Sequence, residues 1–235
     1  MSPVKALEWL NLTRHGESTA NVAWRAAHER GAEETGVTER DADVPLSDLG
    51  RAQAANLGRW LAGRPADERP TLVYSSPFRR ALDTARIALD ETPLDLAVHI
   101  DERLRDRDQG ILEGLTGTGI RRRHPEEHER KLKLGKFYYR PPAGESWADL
   151  ALRLRSFYRD LAEDAAGERV LIVAHDAIVV TTRYLVEGLT EQEVLEIEKD
   201  PIANASMTRW RRGGDRLTPV VYNDIAHLSE MPAAS

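Results

Sequence analysis

The sequence has no cysteine, which excludes disulfides, thiol nucleophiles and thiolate-ligated zinc together. Its longest apolar run is only a few residues, and Lys5 and Glu8 precede any stretch resembling a signal peptide core. Neither a membrane span nor an export signal is expected, and the cytoplasm is the expected location. Lysine is scarce: 28 of the 33 basic residues are Arg and 5 are Lys, so a lone arginine says little, while Lys131, Lys133 and Lys136 form an unusual cluster. Positive charge is not in excess either. Against those 33 stand 39 Asp plus Glu, a net charge of -6 that argues against a nucleic-acid or anionic-membrane partner. What remains is 235 residues, 41% of them hydrophobic, enough for one domain with insertions and a core that needs no crosslink.

Three short apolar segments that include β-branched residues, Leu7 to Thr13, Thr71 to Ser75 and Val170 to Ala174, read as buried parallel strands. Helical patterns separate them. Ser47 to Leu61 opens with a candidate N-cap and gathers Leu49, Ala52, Leu57, Trp60 and Leu61 near one face. Pro77 to Leu89 starts with proline at the first helical position. Ser146, with Asp149 three residues on, caps a helix to about Ala165, and Ile178 to Val186 suits a buried helix. Met207 to Trp210 and Thr218 to Tyr222 read as late, antiparallel strands. The alternation predicts an α/β class: three layers, a mostly parallel sheet with helices on both faces. Two segments lack a period, Ala23 to Val44 and Glu102 to Pro142, and are expected to close over the crevice beyond the carboxyl ends of the strands. The tail from His227 is expected to fray.

Chemistry concentrates at those strand ends. The first strand leads into Arg14-His15-Gly16-Glu17-Ser18 and the third into His175-Asp176, while the second runs through Ser75-Ser76-Pro77 into a helix bearing Arg79 and Arg80. Singly, each is unremarkable: strand-end histidines are often structural and arginines often surface charge. Two histidines, two arginines and a helix N-terminus converging on one crevice describe a phosphate site.

These segments resemble the signatures of the histidine phosphatase superfamily, in its phosphoglycerate mutase-like branch. So do Thr84-Ala85, Val173-Ala174-His175, and Glu102 to Asp106 followed by Gly110 and Leu112-Glu113-Gly114-Leu115. The resemblance runs from about Leu7 to Leu189 and implies a single domain with capping insertions at about 23–45 and 102–145. It also implies roles. His15 would be the nucleophile that becomes a phosphohistidine; Arg14, Arg80 and His175 would hold the phosphoryl oxygens, His175 best if protonated; Asn21 and Ser18 would add substrate contacts. Two guanidinium groups can supply the charge that phosphoryl transfer needs, so neither metal nor cofactor is implied. The family's general acid, usually Glu, falls at Asp106, one methylene shorter, with Asp108 and Glu113 as alternatives.

Thr116 to Trp147 is similar to the capping segment of the fructose-2,6-bisphosphatase type, where the position of Lys136 contacts a second phosphate. That group carries Gln and Arg where this chain has Asp176 and Val180, a departure that weighs against fructose 2,6-bisphosphate itself. The lysine cluster suits an anionic substrate or a solvated helix face equally. His124-Pro125-Glu126-Glu127-His128 matches an inverted zinc-peptidase pattern, but Pro125 belongs at a helix start, leaving His124 outside it, so no metal site is expected. The resulting expectation is a metal-independent phosphatase for a small phosphorylated metabolite. The alternatives are a mutase using the same pocket, or a non-catalytic ligand-binding module. Oligomeric state is open, a homodimer being one arrangement the sequence allows.

Overall fold

The computed structural model describes residues 7–229. Six strands form one sheet in the order β3-β2-β4-β1-β5-β6: β1 (Trp9–Arg14), β2 (Leu72–Ser75), β3 (Val98–Ile100), β4 (Arg169–Ala174), β5 (Met207–Gly213) and β6 (Arg216–Asp224). The pairs β1/β4, β2/β4 and β2/β3 are parallel, and β5 and β6 add an antiparallel edge. The late strands are therefore antiparallel as expected, whereas β3, three residues long and half exposed, was too short to leave a pattern.

The helices are α1 (Thr19–Glu29), α2 (Asp48–Ala62), α3 (Arg79–Asp90), α4 (Gly117–Arg123), α5 (Pro125–Leu134), α6 (Trp147–Asp164), α7 (Asp176–Arg183) and α8 (Glu191–Ile197). One face of the sheet, with Leu10, Leu12, Val170 and Ile172, packs on Leu150, Leu154, Phe157 and Tyr158 of α6 and Ile178 of α7. The other, with Val73, Leu171, Val173 and Met207, packs on Leu57 and Leu61 of α2 and Ala81, Ala85 and Ala88 of α3. Because adjacent residues of β4 feed opposite cores, the strand is apolar without a break, as a strand covered on both sides must be. Each fully buried Leu, Ile or Phe contributes about 1.5–3 kcal/mol. No helix among the described residues is long and apolar enough to cross a membrane.

Several expectations are corrected. Both segments read as irregular contain helix: α1 lies partly in the first, α4 and α5 in the second. Only Ala27 of α1 and Gly119 of α4 are buried, so neither shows an apolar stripe. Helix α3 begins at Arg79 rather than Pro77, because the Ser76 hydroxyl accepts from the Phe78 amide and holds the preceding residues in a turn. Leu49 is exposed. His227 is not frayed: its ring is buried against Trp60 and its Nε2 lies 2.9 Å from the Ala205 carbonyl. The rest of the expected frayed tail, from residue 230 on, lies outside the described residues.

Candidate active site

Register builds the site. Arg14 is paired with Ala174 across β1 and β4, so the next residue of each strand is a histidine, and the His15 amide donates to the Ala174 carbonyl at 2.9 Å. On the other side of β4, the Ser76 amide donates to the Val173 carbonyl at 3.0 Å, bringing the end of β2 to the same point. The two imidazoles meet edge to face with centroids 5.3 Å apart.

The loop after β1 is fixed by backbone contact. A Cβ on Gly16 would lie 2.4 Å from the Gly50 carbonyl oxygen, and one on Gly50 1.9 Å from that of Glu17, so α2 sits directly on the nucleophile loop. The Gly16 amide donates to Thr84 Oγ1 at 3.0 Å, which donates onward to the Arg80 carbonyl at 2.7 Å. Asn204, which the sequence reading missed, donates to the His15 carbonyl at 3.1 Å.

His15 is buried, and its Nδ1 lies 2.7 Å from the Gly16 carbonyl. A carbonyl only accepts, so Nδ1 carries the hydrogen and Nε2 keeps its lone pair, to which Arg80 Nε donates at 3.2 Å. Burial, then Arg80, His175 and Arg14, hold the His15 pKa well below the usual imidazole value. The ring is neutral, as a nucleophile must be.

His175 behaves similarly. Burial, then Arg80 and Arg14, lower its pKa well below the usual value, so the protonated form in which it would help most is disfavoured. Its Nε2 is 2.8 Å from Ser76 Oγ, while Nδ1 has no hydrogen-bond partner and lies 3.4 Å from Asp106 Oδ2. Nδ1 faces the Asp106 carboxylate, which only accepts, so the hydrogen belongs on Nδ1 and the Ser76 hydroxyl donates to Nε2.

Of the arginines, Arg14 donates through Nη1 to the Ile202 carbonyl, lies 4.0 Å from Asp176, and leaves a buried Nε without a partner. Two buried donors left unpaired in one crevice are what an anion site requires, since such groups are otherwise costly. Arg80 is buried and fully engaged by His15, Asp41 and Asp106. Burial alone would lower its pKa; Asp106 and Asp41 outweigh this and raise it.

Asp106 reaches the pocket despite its shorter side chain. Oδ2 accepts from Arg80 Nη2 at 3.1 Å and Oδ1 from the Arg107 amide at 2.8 Å, while Arg153 Nη2 donates to its carbonyl at 3.0 Å. Asp108 is exposed, its carboxylate accepting from the Gly110 amide at 2.7 Å. Burial, then Asp41 and Asp106, raise the Glu113 pKa. Ser18 and Asn21 form the capping box of α1: the Ser18 hydroxyl accepts from the Asn21 amide and Asn21 Oδ1 from the Ser18 amide. Asn21 Oδ1 also accepts from Asn204, so the pair's first role is to hold the loop.

Lys136 is tied to Glu198 by an ion pair. Lys131 is exposed on α5, and desolvation, then repulsion from Lys136 and Arg107, lowers its pKa. Lys133 is exposed on α5. His124 lies just before α5 with Pro125 at its first position, as the sequence required. Among the described residues, no three His, Cys, Asp or Glu side chains are grouped to hold a metal ion.

The model of the histidine phosphatase superfamily, branch 1, matches residues 10–225, and the chain belongs to that family. A 2,3-bisphosphoglycerate-dependent phosphoglycerate mutase 2 of Gloeobacter violaceus is 32% identical over 192 residues, 80% of each chain. A metal-independent phosphoserine phosphatase of Arabidopsis thaliana is 27% identical over 220 residues, 94% of this chain and 83% of the relative. Among solved structures, a mycobacterial glucosyl-3-phosphoglycerate phosphatase complexed with VO3 superposes with a TM-score of 0.71 at 27% identity, covering 92% of this chain and 99% of that one.

Proposed function

We propose that the protein hydrolyses a small phosphate monoester through a phosphohistidine on His15, without a metal. The observation that carries this reading is the fixed tautomer of a buried, neutral His15, whose Nε2 lone pair meets the Arg80 guanidinium. In the first step Nε2 attacks phosphorus, the ester P–O bond breaks, and Asp106 gives its proton to the leaving oxygen. In the second, water attacks the phosphohistidine and returns a proton to Asp106, releasing phosphate. Arg14, Arg80 and His175 Nδ1–H would stabilise the charge on the transferring group, the role a metal ion plays elsewhere. His175 would do so as a neutral donor.

The chain is taken as one domain whose insertions, at about 23–45 and 102–145, form the walls that select the leaving group. Arg107, Lys131 and Lys136 favour an acidic leaving group, with Lys136 shared with Glu198. The fructose-2,6-bisphosphatase type does not enter this reading, because Asp176 and Val180 stand where its sugar-binding residues belong. A mutase reading is favoured by the phosphoglycerate mutase relative.

The test is phosphate release from p-nitrophenyl phosphate and a panel of phosphorylated metabolites, by protein dialysed against EDTA. Saturable release is expected. Isomerisation of 3-phosphoglycerate without release would favour the mutase, and activity restored only by added metal would refute metal independence.

A further inference from the structure

A guanidinium has five N–H donors, and all five on Arg80 are taken. Nε donates to His15 Nε2 at 3.2 Å, Nη1 to the Asp41 carbonyl at 2.6 Å and Asp41 Oδ1 at 2.9 Å, and Nη2 to Asp41 Oδ2 at 3.3 Å and Asp106 Oδ2 at 3.1 Å. Three of the five acceptors belong to one residue, Asp41, in the short 3-10 turn Asp41–Asp43 at the end of the first insertion. Its carboxylate straddles the guanidinium in the two-pronged manner of a phosphoryl group. Arg14 Nε and His175 Nδ1, by contrast, are unpartnered. The anion site is thus open on one side and self-occupied on the other.

We propose that Asp41 is a competing occupant of the phosphoryl site, and that its carboxylate must leave Arg80 before a phosphate group can bind. This rests on the reading of the pocket as a phosphoryl site. Only Asp41 can yield: His15 must stay to react, and Asp106 is anchored through its own carbonyl and Oδ1 by Arg153 and the Arg107 amide. The Asp41 carboxylate, by contrast, is held by Arg80 alone among the described residues, and its side chain is one-third exposed. Burial raises its pKa despite Arg80, with Asp106 and Asp108 adding repulsion, so the ion pair does not fully offset the cost of placing this carboxylate here. A doubly charged phosphate monoester outbids it; singly charged carboxylates and sulfates gain less. Asp41 would therefore set both affinity and anion selectivity, its occupancy reducing apparent affinity by the fraction of molecules in which Arg80 is free.

The experiment is calorimetric binding of inorganic phosphate to the full chain carrying Asp41→Asn, Asp41→Ala or Asp43→Asn. Losing a charge-assisted competitor should tighten binding by about tenfold or more in both Asp41 variants, and the margin over sulfate should shrink. Asp43→Asn removes a charge from the same turn, one that bonds Arg40 and not Arg80, and should change little. Unchanged or weaker binding in the Asp41 variants would make Asp41 a positioning residue for Arg80 and overturn the proposal. Equal tightening by Asp43→Asn would reduce the effect to bulk repulsion and overturn it too. Turnover of p-nitrophenyl phosphate is measured alongside: its absence in the unmodified protein refutes the phosphatase reading, while the binding comparison still decides the role of Asp41.

Discussion

Replacing Asp106 by Asn tests the acid step, and the structure says how to read the result. Asp106 uses its two carboxylate oxygens for different donors, Oδ2 for Arg80 and Oδ1 for the Arg107 amide. An amide has one oxygen, so Asp106→Asn sets an NH2 against one of those donors. That mismatch, about 1–3 kcal/mol, disturbs the site whatever the leaving group. Loss of the proton donor is different: it matters for an alkyl phosphate, whose alkoxide is very basic, and much less for p-nitrophenyl phosphate. General acid catalysis is worth about 10²–10⁴-fold, so the ratio of losses on the two esters, rather than either loss, reports proton donation. Single-turnover release of the alcohol separates this step from hydrolysis of the phosphohistidine, in which Asp106 serves as base. Asp106→Glu, one methylene longer, should retain or raise activity. Equal losses on both esters would refute the assignment and move the role to Glu113 or Asp108.

Two further predictions concern stability. The depressed pKa values of His15 and His175 mean that the unfolded chain binds protons the folded one does not, so their contribution is complete above pH about 6.5 and is lost as pH falls, by up to about 1.4 kcal/mol per pH unit for each. The raised pKa values of Asp41 and Glu113 act in the opposite sense, so the readout is the difference between the unmodified protein and His175→Asn in urea midpoints from pH 7 to 5. An unchanged pH slope would contradict a buried neutral His175. Gly50→Ala, whose Cβ would meet the Glu17 carbonyl at 1.9 Å, should cost about 1–3 kcal/mol in overpacking and lower turnover by shifting the His15 loop, whereas Gly63→Ala, with nothing nearer than 3.6 Å, should be close to neutral. Thermal unfolding decides, with each kcal/mol moving the midpoint by about 2–4 °C in a chain of this size.

The parallel centre of the sheet was legible because β1, β2 and β4 are largely buried and leave short, mostly apolar segments, that of β4 unbroken from Val170 to Ala174. The histidines followed, since a residue just past a buried strand can only face the crevice. Ser47 and Ser146 marked α2 and α6 by local hydrogen-bond chemistry that survives in sequence. The helices inside the two aperiodic segments were not legible. Helices α1 and α4 are pinned through caps and a single buried contact, and Glu34 bridges to Leu115 across 81 positions that no local pattern links. Asp41 was missed for the same reason: it contacts Arg80 from 39 residues away, and among mixed charges nothing marks one aspartate as the residue that folds onto a buried arginine. Arg107 stands beside Asp106 but was masked by the abundance of arginine. That His175 is neutral was not legible, because its burial and the cations Arg80 and Arg14 that hold it so are set by the fold.

The most direct measurement is identification of the covalent intermediate. Protein mixed briefly with p-nitrophenyl phosphate and quenched in alkali should carry one phosphoryl group on the peptide containing His15, stable to base and labile to acid. His15→Ala should carry none and turn over no substrate. A phosphoryl group on another residue, or turnover persisting in His15→Ala, would contradict the account.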